Sequence, residues 1–289
     1  MTATSAIEVR RDLTYATADG APLKLDLYLP ARAAGTCPVV LYLHGGGFMV
    51  GARTDYAQER LEPVARGGLA IASAQYRFSD VATYPAQIHD TKAAVRWLRA
   101  NASEHGFSAE RVGVWGASAG GYLALMLGVT SGSSEHEGEL GDHVDRSSAV
   151  DAVAAWFAPT NLLTVEARRP PADLEPPPFI SGPLPEPSMA ARMLGVESLA
   201  AHPQLAAAAS PVTHAAGTHG PFLLMHGDRD WLTSERQSSD MHEALLAAGA
   251  DSTLLLIAGA NHEDPAFHGP AALGAVSGFF RAALTETGR

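Results

Sequence analysis

Short apolar runs bounded by turn residues recur along this chain, and they limit what it can fold into. Val39–Leu43, within "CPVVLYLHGGGF", is unbroken by polar residues, as a strand covered on both faces would be. "GLAIASAQYRF", "RVGVWG", "DAVAAWFAPT" and "PFLLMHGDRD" are further runs of this kind, and "STLLLIAG" reads as the last strand. Helical patterns alternate with them. "PAQIHDTKAAVRWLRANASEHG" puts Ile88, Ala94, Val95 and Leu98 on one face, with Gly106 as its stop. "GYLALMLGV", "SERQSSDMHEALLAAG" and "DPAFHGPAALGAVSGFFRAAL" are the others, the last expected to carry His268 inside a helix. Strand–helix alternation predicts an α/β fold with a mainly parallel central sheet and helices on both faces. "PLKLDLYLP", from Pro22 to Pro30, alternates leucine with other residues and predicts an antiparallel hairpin leading into that sheet.

One region departs from the rhythm. Residues Ser131–Gly141 are rich in Gly, Ser and Glu, and Arg168–Pro187 is dense in proline. A disordered linker would explain the composition. Strand patterns on both sides favour one domain over 1–289, with an insertion or cap-like segment at about 131–200 packed near the mouth of the site.

Composition excludes several classes of partner. The 289 residues carry 31 acidic against 20 basic side chains, a formal net charge of −11, which repels phosphate backbones and anionic lipid. No stretch approaches the roughly 20 apolar residues that span a bilayer. The start lacks an apolar core of signal-peptide length, and Cys37 is the only cysteine, so a cytoplasmic protein is expected. The chain is silent on oligomeric state.

Chemistry enters at "RVGVWGASAGGYLALMLG". The pattern G-x-S-x-G at Gly116–Gly120 is weak alone in a chain with 28 glycines. Its context is stronger, because a strand-like run precedes Ser118, a helical run follows, and the neighbours between are small. A serine on a sharp strand-to-helix turn needs just that, since strand and helix approach closely and the turn is strained. The glycine run after His44 complements it: backbone N–H groups there can approach a reacting carbonyl whose oxygen becomes negative. The N–H of Ala119, at a helix N-terminus, would supply another donor. No lysine or G-x-G-x-x-G spacing supports a phosphate cradle.

A serine nucleophile needs a base, and the base an orienting acid. Among 12 histidines, chain order favours His262 in the loop "GANHED" after the last strand. Asp228 and Asp230 follow the preceding strand; Asp230 is read as the orienting acid and Asp228 as a turn former. His226 is expected to be packed or hydrogen-bonded, and His44 to organise the glycine loop. "HEDPAFH" lacks the spacing of a zinc helix, "GDHVD" reads as a solvated loop, and no metal or organic cofactor is implied.

Together, "HGGGF", "YRFSDVATYPAQIHDTKAAVRWLR", "RVGVWGASAGG", "WFAPTNLL", "SPVTHA", "HGDRDWLT" and "GANH" resemble the serine carboxylesterases of the α/β-hydrolase superfamily. The bacterial feruloyl-esterase-like group is nearest, and hormone-sensitive-lipase-like esterases are further off. The resemblance implies triad roles for Ser118, Asp230 and His262, and an oxyanion hole from Gly46, Gly47 and Ala119. It implies hydrolysis of small to medium apolar or aromatic esters through an acyl-enzyme. Amide or formamide hydrolysis with the same groups, or a non-catalytic binding role on this fold, are the alternatives. Phe48, Tyr76, Trp156 and Trp231 are candidate pocket residues that could equally be core. Gln75 and Asn161 stand where relatives often carry aspartate.

Overall fold

The computed structural model describes residues 6–31, 36–165, 184–218 and 220–285. Its centre is an eight-stranded sheet in the order β1-β2-β4-β3-β5-β6-β7-β8. β1 (Ile7–Ala18) and β2 (Ala21–Pro30) form the antiparallel hairpin, turning at Asp19 and Gly20. Both turn residues have positive φ, 50° and 81°, the geometry that matches the twist of a tight hairpin. β2 then pairs antiparallel with β4 (Ala70–Ala74). From there the pairing is parallel through β3 (Cys37–Leu43), β5 (Phe107–Ala117), β6 (Ala152–Trp156), β7 (Pro221–Gly227) and β8 (Asp251–Ile257).

The continuous apolar runs follow from two-sided burial. On β3, Val39, Leu41 and Leu43 enter one core cluster, while Val40 and Tyr42 enter the other across the sheet. The first face is covered by α2 (Ala86–His105), α3 (Ala119–Val129) and α7 (Arg236–Ala247). The second is covered by α1 (Glu62–Arg66) and α8 (Pro270–Thr285). Ile88, Ala94, Val95 and Leu98 are all buried on α2, and Gly106 ends it with φ 78°. α4 (Ser134–Glu137), α5 (Met189–Leu194) and α6 (Pro203–Ala208) are short. No described helix is long and apolar enough to cross a membrane.

Two expectations need correction. The stretch 131–200 is not a single inserted piece, because β6 runs through it, paired between β5 and β7 inside the sheet. Most of the proline-rich run lies outside the described residues; beyond it, α5 packs against the glycine loop. His268 is not in the last helix. It ends a 3₁₀ turn, Pro265–His268, whose N-cap Asp264 accepts from Ala266 N at 2.9 Å, and α8 starts afresh at Pro270.

β4 lies on one side of β3 and β5 on the other. The loops leaving the carboxyl ends of β3 and β5 therefore part in opposite directions and open a crevice, the place where such sheets hold their ligands.

Candidate active site

Ser118 stands between β5 and α3 with φ 54° and ψ −119°, a backbone geometry that side-chain-bearing residues rarely adopt. Its neighbours permit the turn. A Cβ on Gly120 would lie 2.0 Å from the Leu43 carbonyl oxygen, and one on Gly116 would lie 2.1 Å from that of Gly120. The Ser118 N–H donates to the Trp156 carbonyl at 2.9 Å, tying the turn to the end of β6.

The glycine loop leaves β3 at His44. The His44 imidazole donates from Nδ1 to the Gly45 carbonyl at 2.7 Å, and its ring stacks on Tyr76 at 4.7 Å. Burial pushes the His44 pKa down, outweighing that carbonyl, so a neutral ring organises the loop. The Gly46 carbonyl accepts from Met49 N and Val50 N, both at 3.1 Å. Because the peptide is trans, the Gly47 N–H points away from that turn. Ala119 opens α3, so its N–H has no partner inside the helix.

The loops after β7 and β8 complete the arrangement. Asp230 Oδ1 accepts from the N–H of Leu232 at 2.9 Å and of Thr233 at 2.8 Å, which fixes the carboxylate. Its Oδ2 accepts from His262 Nδ1 at 2.6 Å, and His262 Nε2 lies 2.9 Å from Ser118 Oγ. With the Nδ1 proton held by the carboxylate, the Nε2 lone pair is left to receive the hydroxyl proton of Ser118. Asp230 and His262 are buried, and Ser118 is 7% exposed. Burial of Asp230 opposes ionisation, but His262 and hydrogen bonds from His226 and His262 outweigh it, holding the carboxyl far below the usual carboxylate range.

His226 does more than pack. Its Nε2–H lies 2.8 Å from the Thr233 carbonyl and 3.2 Å from Asp230 Oδ2, while Nδ1 accepts from Ser238 Oγ–H at 2.7 Å. It therefore donates to the same carboxylate as His262. Asp228 holds a turn, but a distant one, accepting from Gly259 N at 2.7 Å.

A cavity of about 70 Å³ adjoins Ser118, lined among others by Gly47, Phe48, Ala119, Pro159, Met189 and Leu232. Met189 closes it against the glycine loop, its Sδ 2.2 Å from where a Cβ on Gly47 would stand. Gly46 lines a second cavity of about 510 Å³ with Asp55, Tyr56 and Glu263. Of the aromatic candidates only Phe48 lines the cavity beside Ser118. Tyr76 is instead a brace, its hydroxyl donating to the His44 carbonyl at 2.9 Å. Trp156 lies in the core across the sheet, 4.9 Å from the Trp115 ring and 5.3 Å from that of Phe267. Trp231 is buried beside Asp230 but is not among the described lining residues. Gln75 accepts from Arg53 at 3.1 Å, and Asn161 Oδ1 from Leu163 N at 3.1 Å, so neither departure touches Ser118, Asp230 or His262.

This sheet order, with a serine on the turn after β5 and an acid and a histidine after β7 and β8, is that of the α/β-hydrolase fold. The chain belongs to the BD-FAE family, whose family model matches residues 25–245. It is 29% identical over 235 residues to Esterase LipC of Mycobacterium tuberculosis, covering 81% of this chain and 54% of LipC. It spans about half the length of the curated relatives it matches. Among solved structures, a truncated carbohydrate esterase from gut microbiota superposes with a TM-score of 0.84 at 25% identity, covering 98% of both chains. A bifunctional GH43-CE protein of Bacteroides eggerthii gives 0.81 at 27% identity, over 95% of this chain and 38% of that one.

Proposed function

We propose that the chain is a serine hydrolase of carboxylic esters, with Ser118 as nucleophile, His262 as base and then acid, and Asp230 as the orienting carboxylate. The unbroken run of hydrogen bonds from Asp230 through His262 to Ser118 carries this reading. His262 takes the hydroxyl proton as Ser118 attacks the ester carbonyl. Amides of the glycine loop, Gly46 and Gly47, and of Ala119 stabilise the oxyanion. His262 then passes the proton to the departing alcohol, and water repeats the sequence on the acyl-enzyme. Asp230 stays ionised throughout and keeps the imidazole in the useful tautomer.

The small apolar cavity beside Ser118 favours a short acyl group, since Met189 and Phe48 limit its depth. The carbohydrate esterases among the structural neighbours make a sugar-borne ester one alcohol to include in a substrate panel. The direct test is covalent. A fluorophosphonate should label Ser118 in intact protein, and Ser118→Ala should abolish labelling and lower kcat on 4-nitrophenyl acetate by about 10⁴-fold or more. Label on another residue, or most activity retained, overturns the reading.

A further inference from the structure

A fully buried cation lies behind the site, and nothing in the hydrolytic cycle uses it. Arg60 sits on a π-helical turn, Ala57–Leu61, in which Leu61 N reaches back to the Tyr56 carbonyl at 3.4 Å. Such turns are rare and concentrate at functional sites. The Arg60 side chain is 0% exposed and pairs at 2.8 Å with Glu263, itself 3% exposed. Glu263 directly follows His262 and holds a left-handed φ of 54°. A non-glycine residue keeps that conformation only where its surroundings impose it, and the ion pair to Arg60 is one such constraint on this one.

Arg60 reaches the supports of the other two parts as well. Nη1 donates to the Tyr42 hydroxyl at 2.6 Å, on β3 just before the glycine loop. The guanidinium lies 4.8 Å from the ring of Trp156, whose carbonyl holds the Ser118 N–H. Glu263 Oε1 and Ser118 Cβ each lie 3.4 Å from the point where a side chain on Gly45 would begin, so this carboxylate also abuts the glycine loop. Burying two charges gains little net stability over well-packed apolar groups. A role in fixing geometry accounts for the pair where stability does not.

We infer that Arg60 and Glu263 are positioning residues that hold the His262 loop in register with Ser118 and the glycine loop. The inference rests on the hydrolase reading above. Three variants of the full chain test it: Arg60→Met, Glu263→Gln and the apolar pair Arg60→Met/Glu263→Met. Arg60→Met should lose both thermal stability and kcat, because a buried carboxylate is stranded. In the double variant stability should return towards wild type, while kcat on 4-nitrophenyl acetate stays about 10- to 100-fold low, the scale of a misplacement near 1 Å. KM should stay within about twofold. The downfield NMR resonance of the His262 Nδ1 proton should broaden alongside.

Recovery of kcat together with stability, or an unchanged resonance, overturns the inference. If the double variant does not fold, Glu263→Gln decides: kcat should fall about threefold or more at constant KM, and wild-type kcat overturns the inference. Wild-type protein that hydrolyses no ester would sink the hydrolase reading instead, and the resonance would still report how the ring is held.

Discussion

Replacing Asp230 with asparagine should disable the site by inverting one imidazole, and the structure fixes which way the inversion goes. Asp230 faces two backbone donors on one side, Leu232 N at 2.9 Å and Thr233 N at 2.8 Å. On the other it faces His262 Nδ1 at 2.6 Å and His226 Nε2 at 3.2 Å. An asparagine must turn its oxygen to the backbone pair, because the reverse leaves two buried N–H groups unsatisfied at about 1–3 kcal/mol each. Its NH₂ then donates to His262 Nδ1 and drives the ring proton to Nε2, facing Ser118. A ring in that tautomer cannot accept the serine proton. The loss expected of such a trap is about 10⁴-fold in kcat, or about 5.4 kcal/mol at 1.36 kcal/mol per tenfold. The assay is kcat/KM on 4-nitrophenyl acetate at pH 7, beside Asp228→Asn as control. Among the described residues the Asp228 carboxylate accepts from Gly259 N, and an amide oxygen can do the same, so that variant should stay within about threefold of wild type. Asp230→Asn retaining more than about a tenth of wild-type activity, or Asp228→Asn falling further, would refute the reasoning.

Other outcomes follow from the same geometry. Met189→Ala should raise the butyrate-to-acetate ratio of kcat/KM by about tenfold by deepening the cavity; an unchanged ratio would show that the acyl chain lies elsewhere. Gly120→Ala should cost about 1–3 kcal/mol or more in urea unfolding, because its Cβ would meet the Leu43 carbonyl and not a yielding side chain. A wild-type midpoint would contradict the close approach. Asp230 has a folded pKa below its unfolded value, so its stabilising contribution is present above the unfolded value of about 3.9 and is lost as pH falls further. The stability gap between wild type and Asp230→Asn should therefore be constant near neutrality and shrink below about pH 4; a gap independent of pH would argue against the depressed pKa.

What could be read from the sequence was what depends on period and order. The apolar runs at Val39–Leu43 and "RVGVWG" imply strands covered on both sides, and β3 and β5 are such strands. Chain order selected Ser118, Asp230 and His262, and the structure joins them by hydrogen bonds. What escaped depends on which face a residue takes and on long-range approach. Trp156 sits at the right level of the sheet, but alternation sends its ring across to Phe267 while Ala155 takes the near face. Met189 reaches the glycine loop from a distant segment, and no local pattern marks that contact. Arg60 and Glu263 lie 203 positions apart, each an ordinary charged residue in its own neighbourhood. His226 is packed and hydrogen-bonded, as its place on the strand implies, but that Asp230 is among its partners depends on how the loop after β7 curls back.

The left-handed backbone at Ser118 has a consequence for how this chain can change. A residue with a side chain held there costs about 1–3 kcal/mol, which glycine would not incur. If Ser118 is the nucleophile, as proposed, the reactive position is one where an inert glycine would relax the fold, and drift towards a sturdier protein would run through loss of the hydroxyl.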